Sequence, residues 1–187
     1  MSTQTPDASW GLWARWVVAT VIGWVVGTVA AIILSDLVVN LVYPKETNLI
    51  LGLCLGAGVG LSQRIAVRRQ IALAYRWVWS ATVGMGIPFI VVVLADERQP
   101  GAGDRWWLPL LIAGGAVSGL LQVPALRRHT SRAYWWIPAS AVTWSLAWSM
   151  SRVTGLGFYL GGGVALGAMS GGVPLWLWKS PKAATVT

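Results

Sequence analysis

Two glutamines set 59 residues apart, Gln63 and Gln122, each stand five residues ahead of an arginine pair, Arg68 and Arg69 in one case and Arg127 and Arg128 in the other. A carboxamide both donates and accepts, and a guanidinium binds phosphate or carboxylate, so these groups could line a polar path or hold a headgroup. The same amides could equally bond between helices and act as structural glue. Asp36, with Asn40 one helical turn on, is a second polar candidate, a small site if that helix continues toward Tyr43 or else an interfacial carboxylate. Trp24, Trp144 and Trp148 lie deeper in apolar sequence, and Trp144 and Trp148 share a helix face. Their rings could stack on a carotenoid, quinone or chlorophyll, or pack against helices and lipid.

Catalytic and metal chemistry finds little support. His129, the single histidine, sits in a basic loop without a companion ligand, so no His-based metal site or His-coordinated haem pair can be assembled within the chain. Ser118, Ser145, Ser149 and Ser170 lack a base, and no carboxylate pair falls within one apolar stretch. Cys54, the lone cysteine, excludes an internal disulfide and reads as a small packing residue. The expectation is a non-catalytic protein with no metal and no evident cofactor.

The elements that must position these residues are transmembrane helices. Of the 187 residues, 56% are hydrophobic and 11% charged, against roughly a quarter charged in a soluble domain. Six apolar stretches reach or approach the roughly 20 residues that cross a hydrocarbon core: 13–35, 48–65, 77–95, 106–126, 134–150 and 155–178. With six spans, Arg15, Arg64, Arg68, Arg69, Arg76, Arg127, Arg128, Arg132, Lys179 and Lys182 fall on one side, and Lys45, Arg98, Arg105 and Arg152 on the other. That bias places both termini in the cytoplasm. The net charge of +8 is spread through short loops, which fits topology signals and contact with anionic lipid and argues against nucleic acid. The polar start carries Asp7 and no basic residue before Arg15, unlike a cleavable signal.

An internal repeat organises the spans. Trp16, Trp77 and Trp136 open equivalent stretches spaced 61 and 59 residues apart. Ala19, Gly23 and Gly27 correspond to Ser80, Gly84 and Pro88 and to Ala139, Thr143 and Ala147. Gly56, Gly60, Gln63, Arg68 and Arg69 recur 59 residues later as Gly115, Gly119, Gln122, Arg127 and Arg128. The unit is a hairpin of about 60 residues, a Trp-led helix out and a Gly-lined helix back. The organisation is thus a polar segment 1–12, hairpins 13–72, 73–131 and a degenerate 132–179, and a tail 180–187. The third copy keeps Gly163, Gly167 and Gly171 but lacks the glutamine and the arginine pair. The expected fold is an all-α integral membrane protein of six transmembrane helices, three tandem hairpins about a pseudo-threefold axis along the membrane normal.

Glycines four apart, including Gly23 with Gly27 and Gly52 with Gly56 and Gly60, predict close helix packing, with the second, fourth and sixth helices in the tightest contacts. Pro88, Pro124 and Pro174 should bend their helices, whereas Pro109 and Pro138 should sit in first turns. Of the 14 tryptophans, Trp10, Trp13, Trp16, Trp77, Trp79, Trp135, Trp136, Trp176 and Trp178 read as a belt at the cytoplasmic interface, and Trp106 and Trp107 as its outer counterpart.

The repeated Gly-x-x-x-Gly-x-x-Gln, followed five residues on by Arg-Arg, resembles small uncharacterised multi-pass proteins of bacteria with Gly/Trp-rich transmembrane hairpins. The likeness covers Trp13 to Arg132 best. It implies the bacterial cytoplasmic membrane and supplies no activity. Small drug exporters are also compact and Trp-bearing, but depend on a membrane-embedded glutamate that this sequence lacks. Two functions are compatible with the residues. One is an accessory or scaffold subunit of a larger photosynthetic, respiratory or transport complex, with membrane lipids and other membrane subunits as partners. The other is a small transporter or channel with a path between the hairpins. The first expects a dry glycine-packed centre, the second a polar cavity on the axis.

Overall fold

A computed structural model describes residues 7–39, 47–68, 75–98, 102–153 and 160–178. It comprises α1 (Asp7–Val39), α2 (Thr47–Val67), α3 (Arg76–Arg98), α4 (Ala102–Leu126), α5 (Trp136–Val153) and α6 (Gly161–Trp178), with a 3₁₀ turn, Ala133–Trp135, leading into α5. The described residues contain no strand. Four helices are long and apolar enough to cross a membrane, over Trp10–Leu37, Asn48–Val67, Arg76–Leu94 and Trp106–Leu126, and they mark the chain as a membrane protein.

Each helix packs against its neighbours in sequence, and α6 packs back against α1, so the helices form a closed ring. Apolar residues surround most of each helix, so an apolar–polar contrast cannot decide which face turns inward. Side-chain size and shape decide instead. On α1, Val18, Ile22, Val26 and Ile33 are exposed, while Trp16, Thr20, Gly23, Trp24, Gly27 and Thr28 are buried. In lipid, exposing an aliphatic chain costs nothing, and contact between helices is gained by small residues that bring backbones together.

Gly23 and Gly58 show the need. A Cβ on Gly23 would lie 2.5 Å from the Gly58 carbonyl oxygen, so α1 and α2 touch backbone to backbone. Gly56 is equally tight against α3, where a Cβ would lie 2.5 Å from the Ala81 carbonyl oxygen. The ladders follow one rule: Gly52, Gly56 and Gly60 of α2 face α3, Gly115 and Gly119 of α4 face α5, and Gly163, Gly167 and Gly171 of α6 face α1. Each of these ladders faces the odd-numbered helix that follows around the ring, while Gly58 of α2 and Gly114 of α4 face the helix before, α1 and α3.

Two details of the sequence reading change. Helix α4 starts at Ala102, four residues before the expected span, so Pro109 lies inside the helix and not in its first turn. Helix α1 starts at Asp7, within the polar segment expected over 1–12. Pro138 does occupy the first turn of α5.

Candidate functional site: a tryptophan hub with amide and hydroxyl acceptors

The centre of the ring is built from three tryptophans. Trp16 of α1, Trp77 of α3 and Trp136 of α5 are 3%, 1% and 4% exposed. Their ring centroids lie 5.9 Å (Trp16 to Trp77), 6.4 Å (Trp16 to Trp136) and 5.5 Å (Trp77 to Trp136) apart. These separations suit aromatic packing, with the first two pairs edge to face. The expected placement of these three at a lipid interface is thereby corrected. Depth alone suggests the interface, but each lies on the helix face that ring closure turns inward. The belt residues Trp10, Trp79, Trp106 and Trp135 are more than half exposed.

A buried indole N–H needs an acceptor, because an unpaired donor in an apolar interior loses its full hydration. Each hub tryptophan finds one on the helix before it around the ring. Trp77 Nε1 donates to Gln63 Oε1 of α2 at 3.1 Å. Trp136 Nε1 donates to Gln122 Oε1 of α4. Trp16 Nε1 donates to Ser170 Oγ of α6 at 2.9 Å. The two glutamines are 5% and 4% exposed and serve the interior. The third hairpin, which lacks the glutamine, supplies Ser170 three residues after Gly167, as Gln63 follows Gly60 and Gln122 follows Gly119.

The amide nitrogens differ. Gln63 Nε2 donates to Thr20 Oγ1 at 3.1 Å, and Thr20 Oγ1 donates to the Trp16 carbonyl at 2.8 Å. At the position four after Trp77, where α1 has Thr20, stands Ala81, which offers no hydroxyl to Gln122. An interior void of about 10 Å³ lies there, lined by residues that include Ala81, Gln122, Ser140, Thr143 and Ser170. That is the lower limit of space for one water.

Beyond the hub, a second aromatic layer closes the centre. Trp24 is 1% exposed and Trp144 5%, with ring centroids 6.3 Å apart, and Met85, eight residues after Trp77, is buried in the same cluster. Further on, Trp148 stacks on Trp107 at 5.0 Å, with Phe89 edge-on to both. The three tryptophans singled out for a flat ligand are thus engaged with protein rings, Trp24 and Trp144 fully inside and Trp148 half-buried.

The remaining candidates sit apart from this centre. Arg68, Arg127 and Arg128 are exposed at the hub end of the helices. The Arg127 guanidinium lies over the Tyr134 ring at 5.3 Å, and Arg64 over Tyr75 at 3.9 Å, where the cation meets the negative ring face. Asp36 is exposed near the far end of α1. Arg69 and Asn40 lie outside the described residues. Ser145 and Ser149 donate to the Ala141 and Ser145 carbonyls of their own helix, the usual fate of helical hydroxyls. Ser118 Oγ, buried against α3, has no hydrogen-bond partner, and no group of three or more metal-ligating side chains occurs among the described residues.

Sequence reasoning missed the hub, although a signal was present: Trp77 follows Gln63, and Trp136 follows Gln122, at the same interval of 14 residues. No family model matches this chain, and neither a curated protein nor a solved structure does.

Proposed function

We propose that the chain is a non-catalytic accessory or scaffold subunit of a larger bacterial inner-membrane complex, photosynthetic, respiratory or transport. It crosses the membrane six times as three hairpins about a pseudo-threefold axis, with both termini cytoplasmic. Helices α5 and α6, of 18 residues each, join the same ring as the four apolar spans, and their length of about 27 Å nearly matches the hydrocarbon core. The recurrence of Trp donor and Gln or Ser acceptor at each even-to-odd helix junction supports the three-hairpin arrangement.

One observation carries the scaffold reading: among the described residues the centre is filled by side chains. Tryptophan layers close it, and the void between them holds one water at most. What the chain offers is its outside, including Trp10, Trp79, Trp106 and Trp135 at 66%, 68%, 55% and 62% exposure. Such rings suit neighbouring subunits, lipid, or the tails of a carotenoid, quinone or chlorophyll. Purification from native membranes in mild detergent, followed by native electrophoresis and mass spectrometry, tests this. A stoichiometric larger complex is expected; a lone monomer or homo-oligomer would overturn the reading.

The alternative, a small transporter or channel, draws on the polar lining of the void by Gln63, Gln122, Ser140, Thr143 and Ser170. It requires the Trp16, Trp77 and Trp136 rings to separate. Flux through proteoliposomes that is lost on Gln63 or Gln122 substitution would favour it.

A further inference from the structure

Two open grooves mark the outside of the ring, and they occupy the same register of the repeat. One, of about 490 Å³, runs between α1 and α2 and is lined by residues including Arg15, Val18, Ala19, Ile22, Ser62 and Ile65. The other, of about 530 Å³, is lined by residues that include Trp135, Pro138, Val142 and Thr143 of the segment entering and forming α5 and Met169 of α6. Superposing Trp16 on Trp136 places Val18, Ala19 and Ile22 on Pro138, Ala139 and Val142. Both volumes fall in the range of small-molecule sites, roughly 300–1,000 Å³.

The first groove has a physical origin. Helices α1 and α2 meet backbone to backbone at Gly23 and Gly58 and again at Gly27 and Cys54. One turn nearer the arginine-bearing end, Ala19 and Ser62 replace those glycine contacts, and the groove opens between them. Val18, Ile22 and Ile65, each about half exposed, form its apolar walls. In a membrane such a trough is filled by an acyl chain.

The difference between the grooves lies at the mouth. The register that pairs Val18 with Pro138 pairs Arg15 with Trp135. Arg15 is exposed and makes no ion pair with any described residue. It therefore presents a cation at the end of an apolar trough, the complement of a lipid with its negative charge above its chains.

We propose that the α1–α2 groove binds one anionic phospholipid, its acyl chain along Val18, Ala19 and Ile22 and its headgroup on Arg15, while the α5–α6 groove accepts acyl chains without selecting headgroup charge. This deepens the lipid contact in the proposed function and rests on the membrane placement, not on the accessory role. A lone, partner-free protein would leave it standing.

Native mass spectrometry of the purified full chain, with equal dioleoyl phosphatidylglycerol and dioleoyl phosphatidylcholine, provides the test. One retained phosphatidylglycerol per protein is expected, with a preference of about fivefold, as one surface arginine confers. R15Q should abolish the preference, R15K and R128Q should keep it, and Trp135→Arg should add a second selective site. Equal retention of both lipids by the unaltered chain, or a preference that survives R15Q or falls equally in R128Q, would overturn the proposal. Ala19→Phe, which fills the trough from its side, should remove the tightest phosphatidylglycerol adduct; retention of that adduct by a folded variant would place the lipid elsewhere.

Discussion

The Gln63 and Gln122 junctions share a plan and differ in completeness. At the first, one carboxamide joins three helices: its oxygen receives Trp77 of α3, its nitrogen reaches Thr20 of α1, and its backbone belongs to α2. At the second, Gln122 of α4 receives Trp136 of α5, and the place of the third partner is taken by the Ala81 methyl and a void of about 10 Å³. The tryptophan–amide bond recurs where the threonine does not. The shared bond is the one that would leave an indole donor stranded if lost, whereas an amide N–H beside a water-sized void has another outlet.

Removing a hub ring tests what the two junctions share and carries the largest effect. Trp77→Ala and Trp136→Ala should each cost about 3–5 kcal/mol through the cavity left behind, read as a lowered midpoint in detergent unfolding. A loss below about 1 kcal/mol for either would mean that the ring is not part of the packed centre. Next come the amides. Gln63→Leu should cost about 0.5–1.5 kcal/mol more than Gln122→Leu, because each strands one indole donor but the first also loses the bond to Thr20 Oγ1, which keeps its own donation to the Trp16 carbonyl. Equal losses would erase the distinction between the junctions. The smallest change sharpens it: Ala81→Ser should give Gln122 the acceptor that Thr20 gives Gln63 and raise stability by about 0.5–1 kcal/mol, near the average for a hydrogen bond between membrane helices. A destabilised Ala81→Ser would show that the void cannot take a hydroxyl.

Much of the fold was legible because membranes impose few choices. The apolar stretches overlap the six α-helices of the described residues, four of which are long and apolar enough to span, and glycine spacing identified the faces that meet at Gly23, Gly56, Gly119 and Gly167. What could not be read was direction around each helix. Trp16 and Trp79 have the same residue type and lie near the same end, yet one is 3% exposed and the other 68%. The interface rule speaks of depth, and both obey it; only ring closure separates them. Trp24 and Trp144 looked like ligand platforms for the same reason, since a sequence shows a deep tryptophan but not the partner ring across the bundle. In the sequence Ser170 reads only as a candidate nucleophile, because its role as acceptor for Trp16 is played elsewhere by a glutamine. The register named its position, but the residue type did not name the bond.

The closing contact of the ring bears on how the protein is made. Trp13 donates to the Ala168 carbonyl and Trp16 to Ser170, joining residues 155 and 154 positions apart. In a chain inserted from its N-terminus, the first helix enters the bilayer with two indole donors whose acceptors have not yet been synthesised. Those donors must be shielded, by lipid headgroups or by the insertion machinery, until the last helix arrives. A chain truncated before Gly161 keeps both indole donors and lacks the residues that accept from them.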